Sequence, residues 1–401
     1  MSILDRANEC IAQGALTNSK RPESLMLGLY PSHMSHGSGA HLWDIDGQRW
    51  LDYMCGLGCN FVGYGNEKVA QAIIKNVYAG YSHSLPTVHE VEAAEKLKQL
   101  FPFVDLFKFT KTGTLACDAA VRIARAHTGR DLVLSEGYHG HGDDFVSMTP
   151  PAVGVPKREW MAKLAHDFSN IDETVACVIV EPVIVDDSRE RISWLNGLRK
   201  ACDRYGVLLV FDEVITGFRY RKYGVCNNYG VLPDLICLGK AMANGMPLAA
   251  VGGKSHVMSG DYFISSTYGG EILSLAACQA VCDIIMKDHD YDHNYLLRAG
   301  ADFRDRFNAL GGPVKIRGYE TRGVFEGSPE EIALFFQEMG RAKVIFCKSW
   351  FFNWHLAKHT DEVLKIADEA LLRISKGSVQ LKYPLPVVPF AAKEREKDER
   401  R

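Results

Sequence analysis

The chain contains no window approaching the ~18 uninterrupted apolar residues that a membrane-spanning helix needs, so no transmembrane segment is expected. It also lacks a charge excess. Its 46 Lys and Arg stand against 49 Asp and Glu, a net charge of −3, which gives no electrostatic footprint for nucleic acid or an anionic membrane. No CxxC pair occurs among its eleven cysteines, whose number is odd and several of which sit inside apolar runs such as CVIV and LICL. That pattern fits buried free thiols in a reducing compartment and argues against a disulfide framework. Cys55/Cys59 and Cys278/Cys282 are spaced to put thiols one helical turn apart, but neither has a suitable second pair nearby, and no metal is expected. The opening MSILDRANECIAQG carries acids and no long apolar core, unlike a secretory leader, so a cytoplasmic location is expected.

What is present is a large globular chain: 401 residues, 47% hydrophobic and 24% charged, enough for one large domain and a smaller one. Residues 1–40 read as an N-terminal segment with a short amphipathic helix and a glycine-punctuated loop. HLWDIDGQRWLDYM (41–54) reads as a hairpin turning at Asp46-Gly47. The glycine-rich GLGCNFVGYGN follows, then helical spacing over 68–80 and 91–101. From LFKFT (106–110) an α/β rhythm begins. Strands are expected at 106–110, 132–137, 175–183 and in VLLVFDEV and LICLGK, with helices over KTGTLACDAAVRIARAHTGR and 194–206 between them. The first of these helices is expected to be capped by Thr114, to bury Leu115, Ala119, Ala120 and Ile123, and to close at Gly129. Strands alternating with helices imply a mostly parallel, doubly wound sheet. This large domain is expected to span 41–289. A smaller α+β domain follows over 290–382, then a proline-rich connector and the charged tail KEREKDERR within 383–401.

Two of the apolar runs deliver unlike charges. VLLVF ends on Asp212 and LICL leads to Lys240, 240 − 212 = 28 residues later. At the carboxyl ends of buried parallel strands, both would face the crevice where open α/β sheets bind ligands. An amine in a covered pocket has a lowered pKa and condenses with an aldehyde, while a carboxylate keeps a pyridine nitrogen protonated. The pair therefore points to pyridoxal 5′-phosphate (PLP). A lysine after an apolar strand is more often a solvent-reaching cap, but small residues and Gly245 follow this one.

The remaining candidates are weaker one at a time. Thr112-Gly113-Thr114, between a strand and a helix, offers backbone N–H groups and a hydroxyl to a phosphate, or is an ordinary helix cap. In GYHGHGDD (137–144), Tyr138 could stack on a flat ring and His139 could hold it. His139, His141, Asp143 and Asp144 also suggest a metal, although alternating residues on a glycine loop rarely fix a coordination shell. Glu181 ends another apolar run. Glu213 and Val214 are expected to continue the strand of Asp212, with Val214 pressing on the ring face. SSTYGG (265–270) offers Thr267 as a second phosphate contact or is a plain turn.

Taken in order, LWDIDGQRWLDYM, TGTLACDAAVRIARAHTGRD, EGYHGHGDD, CVIVEPV, LRKACDRYGVLLVFDEVITGFR, YGVLPDLICLGKAMANGMPLAAVGGK and STYGGEILSLAA resemble the class III (ω-aminotransferase-like) PLP enzymes of fold-type I. They are most similar to the glutamate-1-semialdehyde aminomutase branch, over roughly residues 41–285. The resemblance implies an internal aldimine on Lys240, Asp212 on the pyridine nitrogen, Gly113 and Thr114 on the phosphate, and Tyr138 stacked on the ring. It implies that Thr267 serves the partner subunit's phosphate, hence a homodimer with shared active sites. It also implies amine and carbonyl small-molecule substrates, with the cofactor cycling through pyridoxamine 5′-phosphate. Aminotransferase is the leading activity; an intramolecular aminomutase, a decarboxylase or a racemase would use the same residues. Three departures stand out. The phosphate turn begins with Thr where Ser or Asn is common, and GGEI (269–272) replaces Gly-Asn-Pro. SWFFNWHLAKH (349–359) carries no Arg or Glu to meet a substrate, and its aromatics serve either the core or a bulky substrate's pocket.

Overall fold

The computed structural model describes residues 1–149, 152–185 and 187–386; the charged tail lies outside them. Two short strands, β1 (Met34–Ser38) and β2 (His41–Asp44), precede β3 (Arg49–Asp52), and β2 and β3 form the expected antiparallel hairpin. Asp44 Oδ1 accepts from the N–H groups of Asp46 (3.0 Å) and Gln48 (2.8 Å), and Gly47 adopts φ 76°, a left-handed turn conformation that glycine takes without a Cβ clash. The two helices that follow are Glu67–Asn76 and Val88–Leu100. The second starts earlier than its apolar spacing suggests, because Thr87 and Glu90 form a capping box.

The centre is a seven-stranded sheet. Its strands are β4 (Leu106–Thr110), β5 (Leu132–Glu136), β6 (Met161–Lys163), β7 (Val175–Val180), β8 (Leu208–Asp212), β9 (Leu235–Leu238) and β10 (Ala249–Gly253), in the order β4-β10-β9-β8-β7-β5-β6. All pairings are parallel except those of β10 with β4 and β9. Every residue of β7, β8 and β9 is buried. Alternate residues feed opposite faces: Leu209 and Phe211 of β8 join one apolar cluster, Leu208 and Val210 the other. This explains why the strands read as continuous apolar runs.

Helix Gly113–Thr128 lies against β7, β9 and β10, and its cap differs from expectation. Thr112, not Thr114, is the N-cap: it is extended (φ −141°, ψ 154°) and its side chain accepts from Leu115 N. Leu115 is 44% exposed, so the buried face runs through Ala116, Ala119, Ala120 and Ile123 instead; Gly129 closes the helix in the left-handed region as expected. The strand carrying Asp212 also ends there, and Glu213 and Val214 lie beyond it. Helix Arg189–Tyr205 starts five residues before 194, capped by Ser188.

A three-stranded antiparallel sheet follows: β11 (Lys315–Tyr319), β12 (Arg322–Glu326) and, beyond β13 (Val344–Ile345), β14 (Ser349–Phe351). β13 instead pairs parallel with β3, tying this region to the hairpin. The aromatic run is core. Trp350 and Phe352 are fully buried and the Trp350 ring lies 5.5 Å from Phe303. Among the described residues no helix is long and apolar enough to cross a membrane.

Candidate active site

The carboxyl ends of β5, β7, β8 and β9 and the amino end of helix Gly113–Thr128 enclose a cavity of about 290 Å³. Its lining includes Thr112, Gly113, Thr114, Tyr138, His139, Glu181, Asp212, Val214 and Lys240, every residue expected from the sequence to serve the cofactor except Thr267.

Asp212, the last residue of β8, is 5% exposed. Its Oδ1 accepts from Val214 N at 3.0 Å, which fixes the carboxylate and turns the chain out of the sheet. Its Oδ2 lies 2.8 Å from His139 Nδ1 and 3.5 Å from Cys117 Sγ. Adjacent Glu213 points elsewhere, accepting from Val225 N, Cys226 N and the Thr216 hydroxyl, and is a structural acid.

Lys240 follows β9 at φ 42°, a left-handed conformation unusual for a side-chain-bearing residue and of a kind that clusters at functional sites. Burial holds its amine below the ordinary lysine range, while the Asp212 and Glu181 charges pull the other way. Lys240 is half-buried and lines the cavity, with Ala241, Met242 and Ala243 wholly buried behind it, rather than capping the strand in open solvent. Four residues after Lys240, the Asn244 side chain accepts from Val62 N (3.0 Å) and donates to Gly63 O (2.9 Å), fastening the glycine-rich loop to the lysine's own turn.

Glu181 accepts from Tyr138 N at 2.8 Å, and its other oxygen stands 4.0 Å from Arg322 Nη1. Burial and the Asp212 charge push its carboxyl up. Tyr138 is 45% exposed at the mouth of the cavity. The 137–142 loop packs onto the helix start, where Thr114 Oγ1 accepts from His141 N at 3.2 Å. Gly140 permits this approach at φ 105°; a Cβ there would fall 2.2 Å from Thr114 Oγ1.

The helix start suits an anion. The first N–H groups of a helix have no intrahelical acceptor. Thr112 takes that of Leu115, which leaves those of Gly113 and Thr114 at the cavity. A Cβ on Gly113 would meet Val214 Cγ1 at 2.8 Å, so only glycine keeps that wall clear. His139 Nε2 is buried without a partner, an orphaned polar atom beside the site.

Thr267 is not brought to the cavity. It is exposed, with its carbonyl accepting from Ser82 Oγ at 3.0 Å. The 264–270 segment instead borders a separate groove of about 720 Å³, with Val91, Leu106 and Leu115. The acids of the suggested metal cluster are otherwise engaged: Asp143 by Arg158, and Asp144 by Arg125 and Arg158. Cys117 Sγ, His139 Nδ1 and Asp212 Oδ2 do lie within 4.8 Å of one another, in the hydrogen-bonded group described above. Two residues at the site escaped the sequence reading: Cys117, and Lys111, which lines the cavity one residue before the phosphate turn. Lys111 carried a usable signal, a charge at a strand end.

Comparison with known proteins follows the same lines. The family model Aminotransferase class-III matches residues 28–158 and 151–327. The glutamate-1-semialdehyde 2,1-aminomutase of Syntrophobacter fumaroxidans is 30% identical over 412 aligned positions, covering 90% of this chain and 94% of that protein. The FumI protein of Sphingopyxis sp. MTA144, solved in its PLP internal aldimine form, superposes with a TM-score of 0.87 at 26% identity, covering 96% of this chain and 98% of that one. A transaminase solved with PLP bound shares the fold at a TM-score of 0.84 and 21% identity, over 94% of this chain and 98% of its own.

Proposed function

Because the chain belongs to the class III aminotransferases, PLP-dependent enzymes acting on small-molecule amines and carbonyls, we propose that it moves an amino group from an amine or amino acid to a carbonyl acceptor at the cavity holding Lys240 and Asp212. The observation that carries this reading is a lysine amine with a lowered pKa sharing one cavity with a hydrogen-bonded carboxylate and a helix start open to an anion.

When bound, PLP supplies an aldehyde carbon that condenses with amines and a ring that draws electrons from the substrate's Cα. Every other task falls to the chain. Lys240 Nζ would hold the aldehyde carbon at rest. Once released, its amine would take the proton from the substrate's Cα and hold it for delivery two bonds away, and its lowered pKa favours the neutral form this requires. Asp212 keeps the pyridine nitrogen protonated, and His139 and Cys117 orient its outer oxygen. Val214 and Tyr138 both line the cavity and would flank the ring. Thr112, Gly113 and Thr114 bind the phosphate, and Glu181 fixes the backbone of Tyr138.

Thr267 is read as serving the partner's phosphate in a homodimer. That reading is supported by the groove beside it and by bare apolar side chains: Tyr78 at 96%, Phe263 at 82% and Leu85 at 78% exposure. Residues 41–289 are taken as the cofactor-binding domain and 290–382 as the smaller one. The eleven free thiols fit a reducing, cytoplasmic setting.

An aminomutase retains one substrate through both half-reactions; a transaminase does not. Supplying an amino donor with a separate carbonyl acceptor tests this. Release of the deaminated donor in step with amination of the acceptor is expected. Turnover of a single amino-aldehyde with no exchange into added acceptor would replace the reading with aminomutase.

A further inference from the structure

Lys111 ends the run that leads from β4 into the phosphate turn, and it lines the cavity with Thr112, Gly113 and Thr114. Its Nζ donates to Glu271 Oε1 at 2.8 Å, and both side chains are mostly buried, 14% and 13% exposed. Glu271 is itself fixed as the N-cap of helix Ile272–Lys287, accepting from Leu273 N (2.8 Å) and Ser274 N (3.0 Å). The amine is therefore held by an anchored acid, on a residue that lines the cavity next to the phosphate turn. Glu271 belongs to GGEI, the stretch that departs from Gly-Asn-Pro, so that departure has a structural counterpart in Lys111.

Resting on the reading of this cavity as the PLP site, we propose that Lys111 is the cationic contact of the cofactor's phosphate. A phosphate monoester carries about −1.5 to −2 charge at neutral pH, and a helix start offers only about half a positive charge. Among the described residues lining the cavity there is no arginine, and the one other lysine, Lys240, is committed to the aldehyde. Glu271 balances Lys111 in the free protein, so the buried amine is not left bare before the phosphate arrives. The competing account is a staple: Lys111 joins the phosphate turn to the 265–271 segment and touches no ligand.

The test compares PLP with pyridoxal, which has the aldehyde and ring but no phosphate. Full-length protein stripped of cofactor is titrated with each ligand, followed by absorbance. Lys111→Met should weaken PLP binding about 10- to 100-fold and leave pyridoxal binding unchanged, with Lys111→Arg recovering much of the loss. Equal loss for both ligands, or none, overturns the proposal in favour of the staple. Should Lys111→Met fail to fold, acetylation of the stripped wild-type protein with and without inorganic phosphate decides by mass mapping. Protection of Lys111 is expected, and labelling indifferent to phosphate overturns it. Wild-type protein that binds neither PLP nor pyridoxal would defeat the functional reading itself, a result distinct from either Lys111 outcome.

Discussion

Replacing Asp212 with Asn removes one charge and almost nothing else. Oδ1 would still accept from Val214 N, and the new amide can donate to His139 Nδ1 in the tautomer that leaves that nitrogen unprotonated. The cost to folding should stay within about 1–2 kcal/mol, a shift of a few degrees in Tm. The cost to chemistry is larger. A carboxylate and a protonated ring nitrogen about 4 Å apart interact by about 4 kcal/mol at an effective dielectric of 20. If that attraction is lost as the ring accepts electrons, the rate falls about a thousandfold. Neighbouring groups respond in a defined sense. The Asp212 charge pulls the Lys240 pKa up and pushes that of Glu181 up, so both should drop in the variant. The assay is a single-turnover half-reaction with saturating amine, followed by the cofactor's absorbance, alongside thermal melting. A D212N protein that melts like the wild type, binds PLP covalently and reacts within tenfold of the wild-type rate would refute the assigned role of this acid.

Three further expectations rest on other parts of the site. Because burial lowers the Lys240 pKa, its neutral form fills at a lower pH than that of an ordinary lysine near 10.4. PLP incorporation into stripped protein should therefore speed up with rising pH and level off before the pH at which an ordinary lysine titrates; a rate still climbing above 10.4 contradicts the shift. Gly113→Ala puts a Cβ 2.8 Å from Val214 Cγ1, which must shift, so PLP affinity should fall tenfold or more, about 1.4 kcal/mol, alongside a loss of about 1–3 kcal/mol in stability, as titration and dye-free melting will show. If Thr267 acts across a dimer, Thr267→Glu and Lys240→Ala chains, each inactive alone, should regain activity when refolded together. Random pairing would restore about a quarter of the sites, whereas no recovery counts against shared sites.

The site was more legible than the frame around it. Asp212 and Lys240 stood out because β8 and β9 are buried on both faces, so their runs contain no competing charge until the strand ends. β10 was invisible for the opposite reason: AAVGG is built from small residues because it is hemmed in by its neighbours. A Cβ on Gly252 would meet the Phe107 ring at 2.5 Å. β6 is a three-residue edge strand with no pattern to read. The cap was misassigned because Thr112 and Thr114 flank one glycine. Only the backbone decides between them, and the extended residue is Thr112. The expected continuation of β8 through Val214 failed because Asp212 Oδ1 takes the Val214 N–H and bends the chain away. Cys117 gave no signal, since a thiol one turn into an apolar helix face looks like core until its contact with Asp212 is seen. In the C-terminal sheet, the aromatic run resolved in favour of packing: Trp350 fits over Gly323, where a Cβ would lie 2.3 Å from Nε1.

The central claim is a covalent bond between the lysine amine after β9 and the cofactor's aldehyde. Borohydride reduction of the PLP-loaded protein, followed by proteolysis and mass mapping, reads that bond directly. A pyridoxyl mass on Lys240, absent from a Lys240→Ala control, is the predicted result. A label confined to other lysines, or no label on protein that retains PLP, would contradict the account.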